Sequence, residues 1–296
     1  MSLGVMSLSL RRISVLVALV AVGATGCSDV SDAIDGAKDG AKKVARQRSV
    51  FSLETGDCYN PNTKPAGEGV QEEAAIEIVP CEEAHQGQVV GEFSIDKKEF
   101  PGDDAVSVIA DERCPVEAQK FTPDTWALPK GVSVFYYHPT KESWATGDRA
   151  VSCAYTKESG TFSGTLKSKP LTADQTAYLK GANAVYDALW MTQPEGEVED
   201  DLPGYKAQAK AVADALATHV TALEGIQQPE TTKLRSTLEK AADNWKKAST
   251  AGDSDAFFLA YDPAFTGIDP NGTVAARKEL KLATTVPADE AEVWAG

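Results

Sequence analysis

Several groups of side chains have types and spacings that could carry chemistry. Cys81 and His85 stand four apart. With Cys58 and Cys114 they offer the sulfur and nitrogen donors that zinc takes. Zinc knuckles pair their ligands as Cys-x2–4-Cys or His-x3–5-His, whereas this chain has one mixed pair and two distant cysteines. No metal site is therefore assigned. Trp144 with Gly147-Asp148-Arg149 is the most site-like cluster. Its carboxylate and guanidinium can pair with ligand groups, and its indole offers a stacking face for a sugar or a stem peptide. The competing reading is a tight turn, with Asp148 capping backbone amides and Arg149 pairing locally, and it is the stronger one. Trp144, Asp148, Arg149 and His85 are thus candidate binding residues. Tyr136, Tyr137 and His138 could present an aromatic patch, but strand alternation puts one tyrosine inside and one outside.

Catalytic arrangements are scarce. Ser163 in Gly160-Thr161-Phe162-Ser163-Gly164 stands one place late for a G-x-S-x-G elbow. The three histidines are His85, His138 and His219, and His219 is expected mid-helix at the edge of an apolar face. No glycine-rich phosphate loop occurs. Asp269, Asn271 and Gly272 lack the fifth-position ligand and the closing Glu of a calcium loop. No catalytic residue, metal or cofactor is assigned, and the chain is read as a non-enzyme.

Cys27 offers chemistry of another kind. Arg11 and Arg12 precede an apolar stretch that ends in Ala24-Thr25-Gly26-Cys27. A basic start, a short apolar core and small residues before the cut make a secretory signal peptide. From Ile13 to Gly26 the stretch has 14 residues, short of the ~20 that a spanning helix needs. The small residues before Cys27 resemble the lipobox of bacterial lipoproteins, with Ala24 standing where leucine is usual. The resemblance implies cleavage after residue 26, a diacylglyceryl group on the Cys27 thiol and acylation of the new amine. Several acyl chains hold a protein stably to a bilayer. Residues 1–26 are then a signal peptide and 27–49 a lipidated stalk, which places the chain on the extracytoplasmic face of the cell membrane.

The mature chain is acidic. Lys and Arg total 29 against 44 Asp and Glu, a net −15, and loss of the leader's two Arg takes it to −17. Such a body is repelled by nucleic acid and by anionic headgroups, so no nucleic-acid partner is expected. Setting Cys27 aside leaves Cys58, Cys81, Cys114 and Cys153. An even count in an exported chain reads as two disulfides. Three pairings are open. The one adopted is sequential, Cys58–Cys81 and Cys114–Cys153, closing loops of 23 and 39 residue steps.

Two kinds of element must position these residues. From 50 to 168 the chain has β-rich runs at 74–79, 88–93, 132–137 and 150–155, with one helix over about Asp103–Lys120. This is a disulfide-bonded α+β domain. Ser168-Lys169-Pro170-Leu171 looks like a hinge. From 172 to 296 the chain reads as a small all-α helical bundle. Thr172 and Gln175 form a capping box for its first helix. A second carries Tyr205, Ala209, Val212, Leu216, Val220 and Leu223, and a third starts near Pro229. A short fourth covers Ser254–Tyr261, and a fifth about Thr273–Leu282. Phe257, Phe258 and Tyr261 are hard to bury together, so part of this cluster is expected to dock on the α+β domain or on a partner.

The α+β block, about residues 54–168, resembles the septum-formation domain of actinobacterial membrane proteins and lipoproteins. The ordered elements are Gly56-Asp57-Cys58-Tyr59, Val79-Pro80-Cys81, His85, Gln88-Val89-Val90-Gly91, Cys114, Pro139, Trp144, Gly147-Asp148-Arg149, Cys153 and Gly160–Leu166. The resemblance implies an extracytoplasmic module linked to division septa and implies no reaction. The expected function is a membrane-anchored, non-enzymatic binding or scaffold module of the cell envelope. Its partner would be an envelope protein or the cell wall. The alternatives are a solute-binding lipoprotein of a transport system and a cell-wall hydrolase.

Overall fold

Apolar alternation from about residue 75 to 157 builds a sheet, and apolar residues at helical spacing from 173 onward build helices. The computed structural model describes residues 46–62 and 75–287; Cys27, the signal segment and most of the stalk fall outside them. The described residues belong to one compact unit. The strands are β1 (Gln47–Ser49), β2 (Cys58–Pro61), β3 (Ala75–Val79), β4 (Gly87–Ser94), β5 (Val132–Tyr137) and β6 (Ala150–Lys157). They form one antiparallel sheet in the order β1-β3-β2-β4-β6-β5. Helix α1 (Asp103–Phe121) lies on one face of it, and the short α2 (Lys141–Ala145) precedes β6. The class is α+β, with both disulfides in the sheet part and helices beyond it.

The core of the sheet part follows from periodicity. Val106, Ala110, Cys114, Ala118 and Phe121 make one stripe of α1 and pack on Val90, Phe93, Val151, Cys153 and Tyr155. Cys114–Cys153 ties the two layers covalently. Tyr155 Oη, buried between them, donates to the Ala118 carbonyl at 3.2 Å. Gly87 is dictated by packing, since a Cβ there would meet the Tyr59 ring at 2.4 Å. The aromatic edge strand differs from expectation. Tyr136 and Tyr137 are both half-buried, and Phe135 is the exposed ring.

The helical part comprises α3 (Ala173–Trp190), α4 (Leu202–Leu223), α5 (Pro229–Ser249), α6 (Ser254–Thr266) and α7 (Val274–Glu279). The Thr172–Gln175 capping box starts α3, and Pro229 opens α5. Two helix ends differ from the sequence reading. α6 continues through Pro263 to Thr266, and the last helix is shorter, following a 3-10 turn at Pro270–Thr273. Phe257 is buried in the bundle itself, so the docking expected of its cluster does not involve that ring.

His219 is placed differently too. It is buried in the bundle, not at its edge, against Gly181 and edge-on to Tyr178 at 5.7 Å. A Cβ on Gly181 would come to 1.9 Å from Nδ1, so glycine is needed for the imidazole to fit. Burial pushes the His219 pKa down to about 4. An unfolded chain with an ordinary imidazole binds more protons between about pH 6.5 and pH 4. Stability is therefore present above that window and lost as pH falls through it, by about 3 kcal/mol. We expect the stability of wild type relative to His219→Leu to fall by that amount from about pH 7 to about pH 4 in urea titrations. A gap that stays constant would refute the buried neutral imidazole.

Candidate functional site

The candidate binding residues form two clusters at opposite ends of one strand pair. β4 and β6 pair from Gly87↔Thr156 to Ser94↔Ala150. His85 lies just before the first rung, and Asp148 and Arg149 just before the last. A strand of this length separates the ends by on the order of 20 Å.

At the first end, the Cys58–Cys81 bridge and His85 anchor the segment that follows β6. His85 and Phe162 exchange backbone hydrogen bonds of 2.9 Å each way. The imidazole lies edge-on to the Phe162 ring at 4.3 Å. Its Nδ1 donates to the Glu83 carbonyl at 2.8 Å, in the turn beside the disulfide. Its Nε2 is buried and lacks a partner among the described residues. Gln88, also buried, donates to the Gly56 carbonyl at 3.2 Å and to Thr165 Oγ1 at 3.0 Å, and accepts from the Leu166 amide at 2.7 Å. With its thiol in a disulfide, Cys81 has no thiolate to give beside His85. Among the described residues, no three His, Cys, Asp or Glu side chains are grouped to hold a metal ion.

At the second end, local bonds consume the polar groups. Thr140 and Ser143 form a capping box that starts α2. Ser143 Oγ also donates to Asp148 Oδ2 at 3.0 Å, and Asp148 Oδ1 accepts from the Ala150 amide at 3.0 Å. Arg149 spends four of its five N–H groups on carbonyls. These are Trp144 at 2.7 Å, Asp148 at 2.6 Å, Lys97 at 3.1 Å and Lys98 at 3.2 Å. Its guanidinium sits 3.9 Å over the Trp144 ring. The indole is buried and donates to the Lys98 carbonyl at 3.2 Å. This arrangement staples the 97–98 loop to the start of β6. The stacking face of Trp144 is occupied by the chain's own arginine.

A third polar cluster has no local sequence signal. Asp124, after α1, makes a buried ion pair with Arg277 of α7. Asp124 Oδ2 also accepts from the Ala283 amide at 2.9 Å, and Arg277 Nε donates to the Ala283 carbonyl at 2.7 Å. The guanidinium stacks 3.9 Å over Trp126. Nearby, Asn183 Nδ2 donates to the Pro123 carbonyl at 3.0 Å, and Gln119 Nε2 to Asp187 at 3.3 Å. Burial raises the pKa of the Asp187 carboxyl, and the Gln119 bond opposes that rise. The segment read as a hinge is itself tied down, with the Ser168 amide donating to the Phe121 carbonyl at 3.0 Å.

No curated protein and no solved structure matches the chain. A family model described as Septum formation matches residues 26–153. That stretch holds both disulfides, His85, Trp144, Asp148 and Arg149. It begins earlier than the resemblance read from the sequence and stops at Cys153, before the Gly160–Leu166 segment. Among the described residues no helix is long and apolar enough to cross a membrane. Residues 26–153, less than half of the chain, match the family model described as Septum formation, and the helical part lies outside the match.

Proposed function

We propose that the chain is a lipid-anchored, non-enzymatic binding or scaffold module on the outer face of the cell membrane, acting in septum formation. The family match carries the septal part of this reading. The anchor rests on Cys27 and the leader before it. Binding is favoured over catalysis because His85 and Asp148 lie at opposite ends of the β4–β6 ladder, each engaged with its own backbone surroundings. A hydrolytic site would need an acid and a base around one bond. A solute-binding protein of the hinged type would need a cleft between sheet and bundle. The Asp124–Arg277 pair and its neighbours fasten that junction.

The test is imaging of an oxidation-tolerant fluorescent fusion in dividing cells beside its Cys27→Ser version. We expect enrichment at septa that depends on Cys27. A uniform membrane signal would remove the septal role, and identical placement of the Cys27→Ser protein would remove the lipid anchor.

A further inference from the structure

Helix α6 leaves apolar surface uncovered. Phe258 and Phe265 are 37% and 38% exposed, and Leu259 is 81% exposed. Isolated apolar residues on a surface are ordinary, whereas a contiguous patch marks an interaction site. Phe258, Tyr261 and Phe265 recur at i, i+3 and i+7, along one face of the helix. Phe258 meets Phe257 at 5.9 Å, Phe257 stacks on Tyr261 at 5.4 Å, and Tyr261 stacks on Phe265 at 5.7 Å. The inner ring, Phe257, is fully buried, so the ridge is rooted in the core.

The charge along α6 itself has one sign; Lys246 and Lys247 end the preceding helix, and Lys206 is spent on the Ala251 carbonyl at 2.6 Å. α6 contains no Lys or Arg, its N-cap is Asp253, and Asp255 and Asp262 are exposed along it. The loop Glu195–Asp201 is held at the same end. Val198 is buried in the bundle core, and Tyr205 Oη donates to the Gly196 carbonyl at 2.7 Å. The Tyr205 ring meets Phe257 edge-on at 6.1 Å. Glu195, Glu197, Glu199 and Asp200 of this loop are exposed. Among the described residues none of these loop or helix carboxylates is in a salt bridge.

We propose that the α6 ridge and the 195–201 loop form a docking surface for a basic amphipathic segment of a partner protein. The apolar face of that segment would lie on the ridge, and its Lys and Arg would meet the unpaired acids. Charge complementarity selects this occupant. An anionic bilayer would bring headgroup charge against these carboxylates, and a second copy of the chain would bring the same acids against each other. The inference rests on the reading of the chain as a binding module and names the class of partner.

The test uses the full chain carrying Cys27→Ser, titrated with a fluorescent Leu/Lys peptide patterned as an amphipathic helix. We expect saturable binding that is about tenfold weaker for a scrambled peptide of the same composition. Phe258→Ser with Leu259→Ser should weaken it by about tenfold, and Leu259→Asp alone serves if the pair does not fold. Glu195→Gln with Glu197→Gln and Glu199→Gln should flatten its salt dependence. Absent binding, equal affinity for the scrambled peptide, or indifference to the Phe258 and Leu259 changes would overturn the proposal. So would binding to phosphatidylglycerol vesicles, or a dimer in sedimentation, that Leu259→Asp abolishes. Septal imaging is scored separately. Uniform membrane signal with peptide binding intact would remove the septal role alone, and septal signal without peptide binding would remove the docking surface alone.

Discussion

Replacing Arg277 with Leu is expected to destabilise the protein by about 3–5 kcal/mol, the usual cost of leaving a buried charge without its partner. The side chains of Arg277 and Asp124 are only 4% and 9% exposed. Without the guanidinium, Asp124 keeps one hydrogen bond, from the Ala283 amide. The Ala283 carbonyl loses its donor, and Trp126 loses the cation over its ring. Asp124→Leu alone should also destabilise strongly, because it strands the arginine. The double replacement should recover much of the loss, since it removes both desolvation costs together. Denaturant titrations of the two single variants and the double variant test this. A single-variant cost under about 1 kcal/mol, or a double variant at the sum of the singles, would show that the pair is not acting as a buried unit. The same experiment asks whether sheet and bundle unfold together. The Arg277→Leu transition should broaden or split if this pair is what couples them.

The parts of the fold legible in the sequence are those with local causes. Val106, Ala110, Cys114 and Ala118 repeat at helical spacing because one face of α1 meets a sheet. Thr172 with Gln175, and Pro229 at a first turn, announce helix starts through backbone amides that need partners or can do without them. β2 escaped the reading because it has four residues and ends in Pro61, too short for alternation to register. The expected end of α6 at Tyr261 falls short of its real one, since the helix runs on through Pro263 to Thr266 with Ala264 buried in the bundle core. His219 falls in step with Val212, Leu216 and Leu223 on the inner stripe of α4. What lets it sit there is Gly181 on another helix, a cause no local pattern reveals. The Asp124–Arg277 pair spans 153 positions, so each partner looked like an ordinary surface charge. The Trp144–Arg149 cluster was legible as a set, and its alternative reading as a turn describes what its atoms do. The sequence could not show that two of the four carbonyls taking the guanidinium belong to Lys97 and Lys98, far away in the chain.

Removing the Cys114–Cys153 bridge by a double Ala replacement is expected to cost about 4 kcal/mol. The bridge spans 39 residue steps, and cross-linking a loop of that size withdraws this much entropy from the unfolded chain. The Cys58–Cys81 bridge spans 23 steps, which gives about 3.4 kcal/mol by the same argument. Chain entropy alone therefore separates the two variants by only about 0.5 kcal/mol. The native surroundings should widen that gap. Cys114 and Cys153 are both fully buried between α1 and the sheet, so two missing sulfurs add the cost of a cavity. Cys81 is only half-buried, in the turn that carries Glu83, which leaves more room for relaxation. Urea titrations of both double variants and wild type, all under oxidising conditions, give the comparison. The Cys114–Cys153 variant should be the less stable by more than the entropic gap. If loss of Cys58–Cys81 is the costlier, loop entropy and core burial are not what rank these bridges. The polar cluster of Gln88, Gly56 and Thr165 beside Cys81 would then be what the first disulfide holds in place.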